Sequence, residues 1–175
     1  VDATGTVLAP LERSDLDGVI ARCREEGVEA IAIQYLHSYI APEHEAESAA
    51  YLREHLPGVA VTASHEITRE WREYERANTT VLNAYVLPIV QEYLGRLEEA
   101  LKDVGVVSSY AAMQSNGGTT SFTLAKEHPI TLMESGPAAG CNGAAIVGGL
   151  CGESQVIYLD IGGTTAKCTT IENNK

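Results

Sequence analysis

The chain has few basic residues. Of its 175 residues, 12 are Lys or Arg and 24 are Asp or Glu, which gives a formal net charge of −12. A surface of this sign repels the phosphate backbone of DNA or RNA, so we expect no nucleic-acid partner. Hydrophobic residues make up 45% of the chain, which is enough for a buried core in one domain or in two small lobes.

Metal-binding spacings and long apolar runs are also missing. The four cysteines form no Cys-x-x-Cys pair, and no two histidines stand at metal-binding spacing. No stretch approaches the roughly 20 apolar residues that a membrane-spanning helix needs, and the N-terminus lacks the residue order of a secretion signal. We therefore expect a cytoplasmic protein with reduced thiols and no membrane contact. Because the sequence lacks an initiator Met and stops soon after a strand-like run, we also expect an internal fragment.

Charge and glycine divide the chain into two halves. Residues 1–102 hold 18 acidic and 9 basic residues, whereas residues 103–175 hold 11 of the 16 glycines. In the first half, hydrophobic periodicity and helix-terminal residues predict helices and strands in alternation, at residues 14–26, 28–36, 42–55 and 58–64. Alternation of this kind is typical of an α/β layer.

A long helical pattern follows over residues 68–102. Trp71 and several tyrosines recur near helical spacing, which predicts a packing face rather than a surface for stacking bases. Residues 70–76 are predicted to form a salt-bridged face of this helix. Pro88 lies inside the pattern and should kink or split the helix, because proline has no backbone N–H to donate.

The Gly-rich half predicts a chain of short elements. Strands are expected at residues 108–115, 156–161 and 166–171, and helices at 122–127 and 141–150. Turns are expected at residues 116–118 and 134–140. The helix at 141–150 consists of small residues, so it should pack very close to a sheet.

Asp160 ends one of these strands and is followed by Gly162, Gly163, Thr164 and Thr165. Glycines let backbone N–H groups turn toward an anion, and the threonine hydroxyls add donors. A carboxylate at this position is suited to hold Mg²⁺ through water or to orient an attacking nucleophile. The stretch is neither a Walker A loop nor a Rossmann fingerprint. A tight hairpin without a ligand explains the glycines equally well.

Two other turns have a similar character. Asn116 and Gly117 follow a predicted strand, and Ser135 and Gly136 come just before a predicted helix N-terminus, a place that favours anions. Three such turns in one half predict a shared cleft, although a plain turn is the simpler explanation for each alone.

The histidines give weaker signals. His37 follows a strand and is placed to reach a cleft, but a hydrogen-bonded structural role is the simpler explanation. The remaining histidines are predicted to be solvated: His44, His55, His65 and His128.

Five stretches, at residues 35–45, 64–94, 113–118, 134–140 and 159–167, together resemble the hydantoinase A/5-oxoprolinase family. This family includes ATP-dependent N-methylhydantoinase and subunits of acetone and acetophenone carboxylases. The resemblance covers nearly the whole chain and implies an α/β fold of actin-like ATPase type, with ribonuclease H-like lobes. The chain would span the end of a first lobe (residues 1–67), a connecting helix kinked at Pro88 (68–105) and the start of a second ATPase lobe (106–175).

The resemblance also implies a chemistry. Family members use ATP and Mg²⁺ to phosphorylate a carbonyl oxygen, so that a cyclic amide is hydrolysed or a ketone is enolised for carboxylation. It implies a cyclic amide substrate and a hydantoinase B-type subunit or domain as partner, with the fragment inactive by itself. The residues it assigns to the phosphate and metal site of the second lobe are Asp160, Gly162, Gly163 and Thr164, with Ser135 and Gly136 in a neighbouring turn.

Lys167 departs from the family pattern Asp-x-Gly-Gly-Thr-Ser/Thr-x-Asp, whose last residue is acidic. A lysine there either neutralises phosphate or displaces the metal. A first Asp-x-Gly-Gly-Thr motif, which full-length members carry, does not occur in this sequence. Two alternatives stay open, a subunit of a ketone carboxylase and a non-catalytic scaffold that binds a partner subunit through the tyrosine-bearing long helix.

Overall fold

The computed structural model describes residues 1–173, and these form two compact units. Unit 1 comprises residues 1–99 and 126–130, and unit 2 comprises residues 100–125 and the chain from residue 131 onward. No helix among residues 1–173 is long and apolar enough to cross a membrane. The elements, in chain order, are α1 (Arg13–Glu26), β1 (Ala30–Ile33), α2 (Glu43–His55), β2 (Ala60–Ala63), α3 (Ser64–Ile67), α4 (Glu73–Asp103), β3 (Ala111–Met113), β4 (Thr119–Ser121), α5 (Phe122–Glu127), a 3₁₀ turn (Pro129–Leu132), α6 (Ser135–Cys151), β5 (Gln155–Ile161) and β6 (Ala166–Glu172).

Unit 1 is built on a β–α–β motif. Strands β1 and β2 are parallel, with Ala30 opposite Ala60 and Ile33 opposite Ala63, and α2 connects them as parallel pairing requires. Helices α1 and α2 cover this sheet with apolar side chains, and the α/β prediction is confirmed. The buried core consists of Ile20, Ile33, Ala49, Leu52, Leu56, Val61 and Ala63.

One ion pair satisfies the outer edge of β2. Because the Ala60 N–H donates toward β1, the polar groups of Val61 and Ala63 point the other way. There Arg53 donates to the Val61 carbonyl at 2.8 Å, and Glu66 accepts from the Ala63 N–H at 3.3 Å. Arg53 and Glu66 also pair with each other at 2.7 Å. The pair therefore occupies positions that another strand would need.

Glu45, in the first turn of α2, is fully buried. Its Oε1 accepts from the Tyr35 N–H at 2.8 Å and the Ser64 hydroxyl at 2.7 Å. Its Oε2 accepts from the His65 N–H at 3.0 Å and lies 2.9 Å from His65 Nδ1. Burial raises the pKa of Glu45, but these hydrogen bonds outweigh it and hold the pKa below its ordinary value. The prediction that His65 is solvated is wrong, since its side chain is only 11% exposed.

Arg76, in the first turn of α4, is also fully buried. Its guanidinium donates to the Ser64 hydroxyl at 3.1 Å, to the Glu70 carbonyl at 2.8 Å and to the Tyr35 carbonyl at 2.9 Å. Tyr35 and Ser64 thus bond to both Glu45 and Arg76. We call these four residues the buried charge network. The salt-bridged face predicted at residues 70–76 includes Arg76, which pairs with Glu73 Oε1 at 3.2 Å, but the charge of Arg76 lies inside the protein.

Helix α4 differs from the predicted long helix in its start and its orientation. Residues 68–72 are not helical, and the helix continues unbroken through Pro88 to Asp103. The predicted packing face is wrong, because Trp71 and Tyr85 are 66% and 74% exposed. The buried face carries Ala84, Leu87 and Leu94 together with polar residues. Among the polar ones, Asn83 donates to the Thr62 hydroxyl at 3.1 Å.

Unit 2 contains two antiparallel hairpins and one long helix. Strand β3 pairs with β4, which the sequence did not predict, and β5 pairs with β6. The predicted turn at residues 134–140 is wrong, since α6 begins at Ser135. Pro137 is compatible with this start because the first turn of a helix does not need its missing N–H. Ser135 and Gly136 are therefore helical residues.

Small residues let α6 approach β5 closely, as the sequence predicts. A Cβ atom added at Gly148 would lie 2.5 Å from the Val156 Cγ2 atom, and one added at Gly140 would overlap the Tyr158 ring. Glycine at these two positions is required by packing.

We predict that Glu45→Gln lowers the free energy of unfolding by about 1–3 kcal/mol at pH 7, because an amide cannot accept all the bonds that the carboxylate accepts. The depressed pKa of Glu45 also means that its ionised form stabilises the fold above the ordinary pKa of about 4.5, and that this stability is lost as pH falls below it. Urea unfolding of wild type and variant from pH 7 to pH 3 measures both effects.

The matched control is Glu47→Gln on the same helix, whose exposed carboxylate pairs with Arg13. It should change the stability by less than about 0.5 kcal/mol. Equal stability of wild type and Glu45→Gln at pH 7 would contradict the importance of the buried carboxylate.

We predict that Gly148→Ala destabilises unit 2 by about 1–3 kcal/mol, because the new methyl group forces α6 away from Val156. Gly143→Ala, also within α6, is the control. A Cβ there meets nothing within 4 Å, and alanine is the better helix former by about 1 kcal/mol. Thermal unfolding should therefore shift in opposite directions for the two variants, and a shift in the same direction would refute the packing explanation.

Candidate functional site

The candidate site is centred on the hairpin of β5 and β6. Asp160 lies opposite Lys167 in the register of the two strands. At the tip, the Gly162 N–H donates to the Thr165 carbonyl at 2.9 Å, and the hydroxyls of Thr164 and Thr165 lie 3.3 Å apart on the surface. The hairpin that the sequence predicts is confirmed.

The Asp160 carboxylate lies half-buried at the end of β5. Within residues 1–173, no hydrogen bond or ion pair is made to it. Tyr158 lies two residues earlier on the same face of the strand. Burial and then the charge of Asp160 raise the pKa of the Tyr158 phenol. Asp160 is therefore a carboxylate with no partner among the described residues, placed where a strand ends and a glycine turn begins.

Lys167 does not neutralise Asp160, although the two residues face each other across the hairpin. Its ammonium group pairs with the Glu134 carboxylate. Glu134 has a left-handed backbone with φ of 62° and immediately precedes α6. The lysine is thus held by an acid from another part of unit 2, and the pair connects the hairpin to the start of α6.

The turn at residues 116–118 is held against α6 as well. Asn142 Nδ2 donates to the Gly117 carbonyl at 3.3 Å, and the Gly118 N–H donates to Asn116 Oδ1 at 2.8 Å. The Ser115 hydroxyl donates to the Met133 carbonyl, just before Glu134. The turn at residues 116–118 and the β5–β6 hairpin therefore both connect to α6 or to the segment that leads into it.

Some glycines of the site are not explained by the fold. Gly117 needs its φ of 82° for the turn, but a Cβ atom at Gly136 or Gly163 would meet nothing within 4 Å. A Cβ at Gly162 would come no closer than 3.7 Å to the Thr165 carbonyl. Because glycine has no side chain, the hairpin tip and the start of α6 have open space that a ligand could occupy.

A metal site made of protein ligands alone does not fit the described chain. Residues 1–173 contain no group of three or more His, Cys, Asp or Glu side chains that could hold an ion. Asp160 alone does fit Mg²⁺, which commonly keeps several waters and binds through one or two carboxylates and a substrate phosphate.

Sequence reasoning missed Glu134 and Asn142 as members of this site. Neither residue has a local sequence signal, because its partner is distant in the chain. Glu134 pairs with Lys167, 33 positions away, and Asn142 bonds to Gly117, 25 positions away. Unit 1 contains a separate cleft of about 910 Å³, lined by Arg53, Glu66 and Pro88 among others. None of the predicted site residues lies in it.

Comparison with known proteins identifies the family. The model of the hydantoinase/oxoprolinase family matches residues 76–175, and that of the hydantoinase/oxoprolinase N-terminal region matches residues 1–56. The chain belongs to the hydantoinase/oxoprolinase family, as its sequence motifs predict.

The relatives are larger enzymes. The chain is 33% identical to the caprolactamase subunit alpha of Pseudomonas jessenii over 94% of its own length and 24% of that protein. It superposes on the crystal structure of that ATP-dependent caprolactamase with a TM-score of 0.84 at 32% identity, over 97% of the chain and 25% of the other. For a nucleotide-free acetone carboxylase the TM-score is 0.86 at 28% identity, over 99% and 25%. The chain thus spans about a quarter of these relatives.

Proposed function

We propose that this chain contributes the phosphate-binding hairpin of an ATP-dependent enzyme that activates the carbonyl of a cyclic amide by phosphorylation. The observation that carries the proposal is the Asp160 carboxylate at the end of β5, to which residues 1–173 make no hydrogen bond or ion pair, next to glycines that the fold does not require. Relatives named as an ATP-dependent caprolactamase and as 5-oxoprolinases support this reaction class.

The residues around the hairpin tip would have two roles, donating hydrogen bonds to phosphate and lining the site. The N–H groups of Gly162 and Gly163 and the hydroxyls of Thr164 and Thr165 would donate to phosphate oxygens. Four other residues would line the same site around α6: Asn116, Gly117, Ser135 and Gly136. Such a reaction depends on positioning and charge neutralisation more than on covalent catalysis.

Asp160 is the residue that would hold Mg²⁺. The ion would neutralise charge that develops on the transferred phosphoryl group. Lys167 would contribute a second positive charge near the phosphates, and Glu134 would keep it away from Asp160. This arrangement favours phosphate neutralisation over metal displacement as the role of Lys167.

The rest of the enzyme is proposed from its relatives. They are named as subunits, such as caprolactamase alpha and acetophenone carboxylase gamma, which supports a hydantoinase B-type partner. Residues 1–67, 68–105 and 106–175 would be the end of a first actin-like lobe, a connecting helix and the start of a second lobe. The chain by itself would be inactive.

A ketone carboxylase subunit is the second candidate. The TM-score to acetone carboxylase is 0.86, close to the 0.84 found for caprolactamase, so similarity of fold supports both candidates about equally. An assay of the full-length protein with acetone and with ε-caprolactam, in the presence and absence of bicarbonate, separates the two. Ketone consumption that depends on bicarbonate identifies a carboxylase, and lactam opening without bicarbonate identifies an amide hydrolase.

We predict that Asp160→Asn in the full-length protein lowers ATP turnover about 100-fold or more, as the loss of one preorganised electrostatic group does elsewhere. Assembly with the partner subunit, measured by size-exclusion chromatography, should not change. Asp103→Asn, which removes an exposed acid at the end of α4, is the control and should keep full turnover. Unchanged turnover in Asp160→Asn would favour the non-catalytic scaffold.

We predict that Lys167→Met weakens Mg-ATP binding about tenfold, because one charge-assisted bond to phosphate is lost. Its folding stability should change by less than about 1 kcal/mol, since the pair with Glu134 is exposed. Lys126→Met, which breaks the pair with Glu98 in unit 1, is the control and should leave Mg-ATP binding intact. Tighter Mg-ATP binding by Lys167→Met, measured by calorimetry, would show that the lysine displaces the metal.

A further inference from the structure

The cleft of unit 1 lies along the outer edge of β2. It has a volume of about 910 Å³, and its lining includes residues 58–62 together with Leu87, Pro88 and Gln91 of α4. A volume of this size is in the range of ligand-binding pockets. The phosphate chemistry proposed for unit 2 uses none of these residues.

Two backbone groups of β2 have no partner at this edge. The Ala60 N–H donates to the Glu29 carbonyl on the β1 side. Because the carbonyl and N–H groups of one trans peptide point in opposite directions, the Val59 carbonyl points away from β1, and so does the Val61 N–H. Among residues 1–173, no hydrogen bond is made to either group. Val61 is only 6% exposed, and a backbone N–H shielded from water is unfavourable without a partner, so the edge favours a ligand.

The Arg53–Glu66 ion pair limits what this edge can bind. It takes the Val61 carbonyl and the Ala63 N–H, so a long strand cannot add beyond Val61. The remaining acceptor and donor, on residues 59 and 61, match the N–H and the carbonyl of a single residue in parallel pairing. The edge is therefore suited to a short extended peptide segment, bound in the way that other exposed strand edges bind peptides.

Carboxylates dominate the charge of the cleft. Glu66 and Glu92 are paired with arginines, whereas Glu29 and Glu127 also line the cleft and form no ion pair within residues 1–173. The hydrogen bond to Glu66 raises the pKa of Arg53, and the charge of Glu127 adds to this effect, which places the Glu127 carboxylate near the edge of β2. The excess negative charge favours a basic side chain in the cleft and disfavours an acidic one.

We propose that the cleft binds a short extended segment of another protein. The backbone of this segment would bond to Val59 and Val61, and Glu29 and Glu127 would hold its lysine or arginine side chain. The chain itself has a net charge of −12, so a second copy is a poor source of a basic segment, and charge complementarity favours a different protein as the partner.

Fluorescence anisotropy with a labelled pentapeptide, Gly-Val-Lys-Val-Gly, tests the proposal in the full-length protein. Norleucine in place of the lysine removes the ammonium group and keeps the aliphatic chain, so it should weaken binding about tenfold, the effect of losing a charge-assisted bond. The double variant Glu29→Gln/Glu127→Gln should weaken binding of the lysine peptide to a similar extent.

Glu25→Gln is the matched control, because it removes an exposed carboxylate of α1 that lies outside the cleft. It should bind the lysine peptide as wild type does. Glu29 and Glu127 are also exposed, so all three substitutions should retain the melting temperature of wild type.

Hydrogen exchange measures the backbone contact. The Val61 N–H has no partner in the free protein and should become protected when the lysine peptide saturates the cleft. The Ala60 N–H is bonded to β1 in any case and should exchange equally slowly with and without the peptide. Mass spectrometry with fragmentation to single residues distinguishes the two amides.

Three outcomes would overturn the proposal. Absence of binding shows that the cleft accepts no peptide from outside, for instance because the protein's own chain fills it. Equal binding of the lysine and norleucine peptides contradicts the selection by charge. Binding that leaves Val61 unprotected places the peptide on the acidic surface and not on the strand edge. Each outcome leaves the function proposed for unit 2 intact, since Glu29→Gln/Glu127→Gln should keep the ATP turnover of wild type.

Discussion

The buried charge network is the interaction on which unit 1 depends. Glu45 and Arg76 carry opposite charges in full burial, and Tyr35 and Ser64 hydrogen-bond to both of them. These four residues come from the ends of β1 and β2 and from the starts of α2 and α4. Each charge also has a partner outside the network, Glu73 for Arg76 at 3.2 Å and His65 for Glu45 at 2.9 Å, so that both are compensated in the buried state. The network therefore fixes where the sheet ends and where the loop that bears His37 begins.

Unit 2 depends on glycines, whose lack of a side chain allows close packing or leaves open space. Gly140 and Gly148 let α6 approach β5, whereas Gly136 and Gly163 leave space that no part of the described chain occupies. The first pair explains the packing, and the second pair supports the proposed phosphate site. In the proposed site Asp160 and Lys167 would supply the charges, and Lys167 pairs with Glu134. This division between structural and functional glycines links the fold to the proposed chemistry.

Local patterns predicted much of this structure, and distant pairings accounted for the errors. The hairpin of β5 and β6 and the alternation of α and β elements follow from the periodicity of neighbouring residues. The burial of Arg76 could not be predicted, because its partners Tyr35 and Ser64 lie far away in the sequence. The exposed face of α4 was misassigned for a related reason. Asn83 is polar, yet it is buried because Thr62 on β2 accepts its hydrogen bond. The turn predicted at residues 134–140 is helical instead, because Pro137 lies in the first turn of α6, where its missing N–H is not needed.

A crystal structure of the full-length protein with Mg-ADP tests the central claim most directly. The account predicts phosphate oxygens within hydrogen-bonding distance of the backbone N–H groups at residues 162–165, Mg²⁺ reached by Asp160 directly or through water, and Lys167 directed toward the phosphates. Nucleotide phosphates bound elsewhere, with the hairpin tip in contact with solvent or with protein only, would contradict it.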